Sequence, residues 1–281
     1  MQFGVSTQFV HAQRLEREHL AAVRAHGFDA VEIVATRSHL DYHDASALDE
    51  VARWLTAEGL RLHAMHAPIT ERFTGRWVGP FNNASSQPLM RERAVRETLT
   101  ALGLAARVPV SVLVVHAGLP DSLVTTEAEN SRESARRSVE TIAEAAGKLG
   151  VRVALEVIPN ALSTPESLVA LVEEELDLPN VGICLDMGHA HMMSDVVESI
   201  ETMSGSIIAT HVHDNHGTRD EHLLPFDGTI DWPAALIALH KIGYEGTMML
   251  ELAGTDGPAA TLARARDARA RLEHLAAGSW S

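Results

Sequence analysis

The 281-residue chain carries 38 acidic against 23 basic side chains, a formal net charge of −15, and 46% of its residues are hydrophobic, 22% charged and 4% aromatic. That apolar share is ample for a buried core and far from a disordered composition, while the negative charge makes a nonspecific grip on a phosphate backbone unfavourable, so nucleic acid is disfavoured as a partner. A single cysteine, Cys184, excludes an internal disulfide framework and fits a reducing compartment, for which the cytoplasm is the simplest address. The N-terminus has no basic flank leading into an apolar stretch, and no window approaches 18 uninterrupted apolar residues, so neither secretion nor a membrane span is expected.

In chain order, short apolar, β-branched runs near residues 3–7, 29–35, 60–67, 111–117, 152–158, 181–187, 206–213 and 246–252 predict strands. Between them, Ala/Leu/Arg/Glu-rich stretches near 13–26, 44–58, 86–107, 131–149, 165–177, 192–203, 232–243 and 258–276 have helical periodicity. Ser163-Thr164-Pro165 and Asp231-Trp232-Pro233 each set a capping side chain ahead of a proline, and Gly27, Gly59, Gly150 and Gly243 each follow an amphipathic run. Eight β-then-α repeats with no linker or composition shift predict one domain over residues 1–281, an α/β protein of the (β/α)8 TIM-barrel class. The long connection 68–85 follows the third strand on the face where barrel active sites form. It holds Phe73, Trp77 and Phe81 beside Arg72 and Arg76, and reads equally as a cover for substrate and as a loop anchored by its own aromatics.

Barrel strands alternate lumen-facing and helix-facing side chains. In Val151-Arg152-Val153-Ala154-Leu155-Glu156-Val157 the bulky Val153, Leu155 and Val157 suit the helix layer, which turns Ala154 and Glu156 inward. The same parity turns Glu32, His66, His116, Asp186, His211 and Glu251 inward near the strand ends, with Ile33, Met65, Val115, Leu185, Val212 and Leu250 outward. Ionisable side chains sorted to one rim point to a divalent-metal site, because mixed His/Asp/Glu shells bind hard or borderline cations. Asp186-Met187-Gly188-His189 and Asp220-Glu221-His222 add candidates on the same rim; either spacing alone is more often a surface polar pair, and the coincidence with the strand ends raises both. Glu32 reads equally as a ligand and as a hydrogen-bonder of the rim, and His213 or Asp214 is placed to orient the ring of His211. His63 has outward parity and is expected to pack or hydrogen-bond against a helix. His11, His19, His26, His39, His43, His240 and His274 read as surface or helix-end residues.

Taken together these residues resemble the sugar phosphate isomerase/epimerase superfamily, the xylose-isomerase-like TIM barrels that also include the endonuclease IV type of abasic-site nuclease. The likeness spans nearly the whole chain. It is carried in order by His66-Ala67-Pro68, Val114-Val115-His116-Ala117-Gly118, Leu155-Glu156, Cys184-Leu185-Asp186-Met187-Gly188-His189-Ala190, His211-Val212-His213-Asp214-Asn215, Asp220-Glu221-His222, Gly228-Thr229-Ile230-Asp231-Trp232 and Leu250-Glu251.

The resemblance implies a metal held by Glu156, Asp186, His211 and Glu251, as in the ketose epimerases. The nuclease branch, with three zinc ions, would add His66, His116, His189, Asp220 and His222. One to three divalent ions per chain are thus implied, from Mn2+, Zn2+, Mg2+ or Co2+. Glu156 and Glu251 match the acid/base pair, and Glu32, His66, His189, Arg37, Trp77 and His213 are placed at the substrate.

The implied reaction is isomerisation or epimerisation of a sugar, sugar phosphate or keto-sugar by carboxylate-mediated proton transfer through a metal-stabilised enediolate. The alternative is a multinuclear zinc phosphodiesterase of the endonuclease IV type. The acidic chain, without a basic, aromatic-interleaved stripe on the rim loops, favours a small sugar-like substrate, and Arg37, Arg72 and Arg76 suit one phosphate, one carboxylate or loop solvation. A barrel that only binds metal or sugar is disfavoured because every ligand position is kept. Assembly into a homo-oligomer is compatible with the sequence.

Overall fold

A computed structural model of the chain describes residues 1–124, 126 and 129–278. Strands β1 (Gln2–Ser6), β2 (Ala30–Val34) and β3 (Arg61–His66) are followed by a hairpin, β4 (Thr70–Phe73) and β5 (Trp77–Pro80), and then by β6 (Val112–Val115), β7 (Arg152–Glu156), β8 (Val181–Asp186), β9 (Ile207–Val212) and β10 (Thr247–Leu250). All but the hairpin strands are parallel and close in chain order, with β10 returning to β1 through Gln2↔Thr247 to Val5↔Leu250. The predicted (β/α)8 barrel is the fold adopted, and each predicted strand is present.

The helices are α1 (Arg17–Ala25), α2 (Ala45–Glu58), α3 (Pro88–Ala101), α4 (Arg132–Gly147), α5 (Pro165–Val169), α6 (Met187–Met193), α7 (Val196–Thr202), α8 (Trp232–Lys241) and α9 (Pro258–Gly278). They cover the barrel by the apolar stripe that helical periodicity demands; α4, for example, buries Ala135, Val139, Ile142, Ala143 and Ala146. Two predicted caps form, Thr164 Oγ1 accepting from Ser167 N at 3.2 Å and Asp231 Oδ1 from Ala234 N at 3.0 Å. No helix among the described residues is long and apolar enough to cross a membrane.

Several segments depart from the expected pattern. The connection 68–85 is not irregular: Thr70↔Pro80 and Phe73↔Trp77 pair it into the β4–β5 hairpin. The helix expected over 165–177 is α5 continued by a π-helical stretch, Ala170–Leu176. The helix expected over 192–203 is two helices, because Ser194 is extended (φ −159°) and Asp195 caps α7 by accepting from Glu198 N at 3.0 Å. Helix α6 starts directly on β8, capped by Asp186, which accepts from His189 N at 2.7 Å. A bulge between β2 and β3 pairs Val31 with Leu62 but Glu32 with Ala64, leaving His63 as the extra residue. The ring of His63 is bonded not to a helix but to Arg61 Nη1, at 2.8 Å.

Inside the barrel, Ala64, Val112, Val114, Ala154, Cys184 and Ala209 form one small, dry cluster. This layer closes the lumen and leaves the mouth above it to polar residues. It tolerates no added volume at Gly182, where a Cβ would stand 2.8 Å from the Ile208 side chain and 2.9 Å from Ser206 O. Gly182→Val is expected to destabilise the protein by about 1–3 kcal/mol through overpacking. Chemical denaturation would check this, and an unchanged midpoint would show that the lumen can yield.

Candidate metal centre

Seven strand-end side chains converge at the mouth. Glu156 is 1% exposed, yet imidazoles meet both of its oxygens: Oε2 lies 2.9 Å from His66 Nε2 and 3.0 Å from His116 Nε2, and Oε1 lies 3.1 Å from His211 Nδ1. His211 Nδ1 also stands 3.4 Å from Glu251 Oε2 and 3.8 Å from Asp186 Oδ2. Three groups of donor atoms result, each lying within 4.8 Å of one another and able to hold a metal ion: Glu156, Asp186, His211 and Glu251; His66, His116 and Glu156; and His189, His213, Asp220 and His222. Glu156 belongs to two of them. Every residue expected to ligate a metal lies in one of these groups.

The rings are oriented from behind. His66, His189 and His222 direct Nδ1 at the backbone carbonyls of Ala67, Val157 and Glu251, at 2.9, 3.0 and 3.0 Å. A carbonyl only accepts, so Nδ1 carries the proton and Nε2 is turned to the acids. His211 is reversed: Nε2 faces Glu32 Oε2 at 3.0 Å and Nδ1 faces the four-residue group.

The third group depends on the loop after β9, and Asp214 organises that loop. Its Oδ1 accepts from Asn215 N and Ile230 N, and its Oδ2 from Phe226 N and Trp232 Nε1, at 2.8–3.1 Å. Gly228 passes so close that a Cβ there would stand 2.3 Å from Asp214 Oδ1. Within this frame His222 is held at φ 46°, a left-handed conformation rare outside glycine, and its Nε2 lies 3.2 Å from Asp220 Oδ1. His213 and Asp214 therefore do not orient His211 as expected. Asp214 builds the loop, and His213 donates from Nε2 to Asp186 Oδ1 at 3.0 Å.

Charge follows the same geometry. Burial disfavours the cation of His66, but the hydrogen bond and charge of Glu156, with Glu32 and Glu251 behind, outweigh it and push the ring up to about 9. His222, equally buried, is pushed up to about 10 by Asp220, Glu251 and Asp186. His189 and His211 are raised well above their ordinary value against the same burial penalty, by Asp186 and Asp220 for the first and by Cys184, Glu251, Glu32 and Glu156 for the second. His116 is the exception: its burial outweighs Glu156 and lowers it. Burial would raise the carboxyls of Glu32, Glu156, Asp186 and Asp220, but the facing imidazoles hold all of them down.

A cavity of about 90 Å³ opens over the acids. Glu156, Glu251, His66, His116 and His189 line one part, and Val34, Ile69, Trp77, Pro120 and Ile158 an apolar part. Trp77 thus reaches the cavity from the hairpin, which is fixed by Phe73 stacking on His11 with ring centroids 4.5 Å apart. Three residues expected at the substrate do not reach it. Arg37 points to Asp41, 3.7 Å away, while Glu32 and His213, both fully buried, are engaged by His211 and Asp186 behind the cavity wall.

Two histidines expected at the surface are also buried. His11 bonds Thr36 Oγ1 through Nε2 at 2.7 Å, and His39 bonds Gln13 O and Thr7 Oγ1 at 2.6 and 3.1 Å. Burial lowers them to about 3 and about 4. Neither belongs to an apolar period, so no pattern in the chain marks them.

Residues 20–277 match the family described as xylose isomerase-like TIM barrel. The chain is a xylose isomerase-like TIM barrel. Among related barrels, an uncharacterised protein of Methanocaldococcus jannaschii is 30% identical over 259 residues, 89% of this chain and 83% of its own. The inosose isomerase of Bacillus velezensis is 24% identical over 253 residues, 84% and 82% of the two chains. The crystal structure of a D-tagatose 3-epimerase-like protein superposes with a TM-score of 0.83 at 26% identity, covering 100% of both chains. That of the IOLI protein with a bound zinc atom gives 0.78 at 21% identity, also over 100% of both, a likeness of fold.

Two outcomes follow for this barrel. Asp214→Ala leaves buried N–H groups unpaired and should cost about 3–5 kcal/mol. It should also free the 213–232 segment, so amide exchange there should rise by more than in the barrel strands; uniform acceleration would show that Asp214 does not organise the loop. In protein stripped by a chelator, the imidazolium of His66 and His222 contributes stability fully below the unfolded-state value of about 6.5, and this is lost as pH rises through about 9 to 10. Melting temperature of stripped protein should therefore fall between pH 7 and 10, and divalent ion, whose binding displaces those protons, should stabilise more as pH rises. Parallel melting curves with and without Zn2+ decide it.

Proposed function

We propose that this barrel is a divalent-metal-dependent isomerase or epimerase acting on a small sugar-like ketone. The observation that carries the reading is that two glutamates from different strand ends, Glu156 and Glu251, line one cavity and share one donor group with Asp186 and His211. The donor set fits a cation: its three carboxylates are at most 5% exposed, and apart from the His189 N–H on Asp186 the groups standing opposite them among the described residues are imidazoles. Three oxygen donors and one imidazole suit Mn2+, Mg2+, Co2+ or Zn2+, and zinc is the ion in the IOLI structure.

Bound there, a divalent cation would draw electron density from a substrate carbonyl and its neighbouring hydroxyl, acidifying the adjacent C–H. Glu251, whose Oε2 stands 3.4 and 3.7 Å from imidazole nitrogens, is the freer carboxylate and takes that proton. Glu156, ionised at rest and held by His66 and His116 through Oε2, relays to the carbon a proton taken from the His66 imidazolium, which the ring regains from solvent as Glu251 gives up the proton it took. In the reverse direction the two exchange roles. The apolar part of the wall, with Trp77, suits the C–H face of a sugar. No Lys or Arg is among the described residues lining the cavity, which favours a neutral substrate over a phosphorylated one. The names of the inosose isomerase and of the D-tagatose 3-epimerase-like protein support the same class.

Phosphodiester hydrolysis is the second reading. It is favoured by the two further donor groups beside the first, more donors than one cation uses. Turnover of ketoses in D2O separates the two, since only proton transfer at carbon washes deuterium into the sugar. Glu156→Gln and Glu251→Gln are each expected to lower that exchange at least a thousandfold with the fold intact. Exchange within tenfold of wild type in either variant removes that residue from the chemistry. Zero exchange on every ketose, with cleavage of an abasic-site phosphodiester, establishes the second reading instead.

A further inference from the structure

Three histidines of the centre have Nδ1 fixed by a backbone carbonyl: His66 by Ala67, His189 by Val157 and His222 by Glu251. Among the described residues no such carbonyl stands behind His211. The group behind it is the carboxylate of Glu32, which comes from β2, three strands away round the barrel, and places Oε2 3.0 Å from His211 Nε2. Both residues are fully buried, and Glu32 does not line the cavity. Its other oxygen, Oε1, is buried without a hydrogen-bond partner among the described residues, and of the groups acting on this carboxylate His211 comes first, ahead of the His66 ring and the Ser6 hydroxyl.

We infer that Glu32 is the positioning residue of the four-residue group: it holds the proton of His211 on Nε2 and so aims the Nδ1 lone pair at the point shared by Glu156, Asp186 and Glu251. This rests on the reading that these four residues hold a divalent cation. The chemistry follows from what each partner can do. A carbonyl or a carboxylate can only accept, so either one fixes the tautomer of the ring it faces. A carboxylate in addition carries charge, which makes the opposite nitrogen a stronger donor to a cation. The charged version is used on the ring that stands among three carboxylates, whereas the rings with carbonyl partners belong to the other two groups. Gln at this position fills the same space, but its NH2 can donate to His211 Nε2. That releases the ring to place its proton on Nδ1, facing the acids.

Mn2+ is the suitable probe, because the four-residue group is rich in oxygen donors and the other two are rich in imidazole. Free Mn2+ would be counted by electron paramagnetic resonance during titration of wild type, Glu32→Gln and Glu32→Asp, alongside melting curves of the chelated proteins and 15N-imidazole spectra of Zn2+-loaded protein. The expected result is Mn2+ affinity 10–100-fold weaker in Glu32→Gln, with the chelated melting temperature little changed and the Nε2–H signal of His211 in Zn2+-loaded protein shifted upfield, as an amide oxygen replaces the carboxylate it donates to. Glu32→Asp, which keeps the charge on a shorter arm, should fall between the two and serves if the Gln variant does not fold. Affinity within threefold of wild type in both variants overturns the inference, as does a loss of stability in chelated and loaded protein alike with affinity unchanged, the mark of a merely structural carboxylate. Wild type that takes up no divalent ion overturns the metal reading itself and this inference with it, a failure recognisable because it precedes any substitution.

Discussion

Glu156 can be ionised in the mouth of an apolar barrel only because imidazoles meet both of its oxygens. A carboxylate at 1% exposure has lost most of its water, and a lone buried charge of this kind is too costly to keep. The rest of the mouth follows from that requirement. His66, His116 and His211 must approach from three other strands, so small residues occupy the layer beneath and leave them room. Their rings must present particular nitrogens, so carbonyls or a second carboxylate stand behind. Because Glu156 belongs to two donor groups, a change at this one side chain disturbs both.

Much of this was legible in the sequence, for a definite reason. Strand parity locates side chains correctly wherever the ladder is regular, and Glu156, Asp186, His211 and Glu251 all lie at strand ends beyond the points where the register shifts. The bulge that inserts His63 as an extra residue was not legible, since a bulge leaves no mark in hydrophobic alternation. Helix α6 was hidden because Asp186 is at once the last strand residue, a helix cap and a member of the centre. The partners of Glu32, Arg37 and His213 were not legible either. All three sit beside the rim in sequence, but whether a side chain opens on the cavity or backs another residue depends on distances of a few ångströms across strands. Burial of His11 depends on the hairpin stacking Phe73 on it, and that of His39 on packing against His11, Gln13 and Thr7, tertiary events without a local signature.

The three donor groups are not built alike, and this bears on the choice between reactions. Glu156, Asp186, His211 and Glu251 stand at or next to the ends of four neighbouring strands and are at most 5% exposed, so they cannot move apart without opening the barrel. Asp220 and His222 ride on a loop that keeps its shape through one buried aspartate, and the Asp220 side chain is 41% exposed. Loops of that kind open at lower free energy than strands. Chemistry that needs a single fixed Lewis acid between two carboxylates can use the rigid group by itself. A reaction that needs three cations in a constant arrangement would rest two donors of its third, Asp220 and His222, on that loop. The distribution of rigidity therefore sides with proton transfer at carbon, which asks of the loop only that it border the substrate.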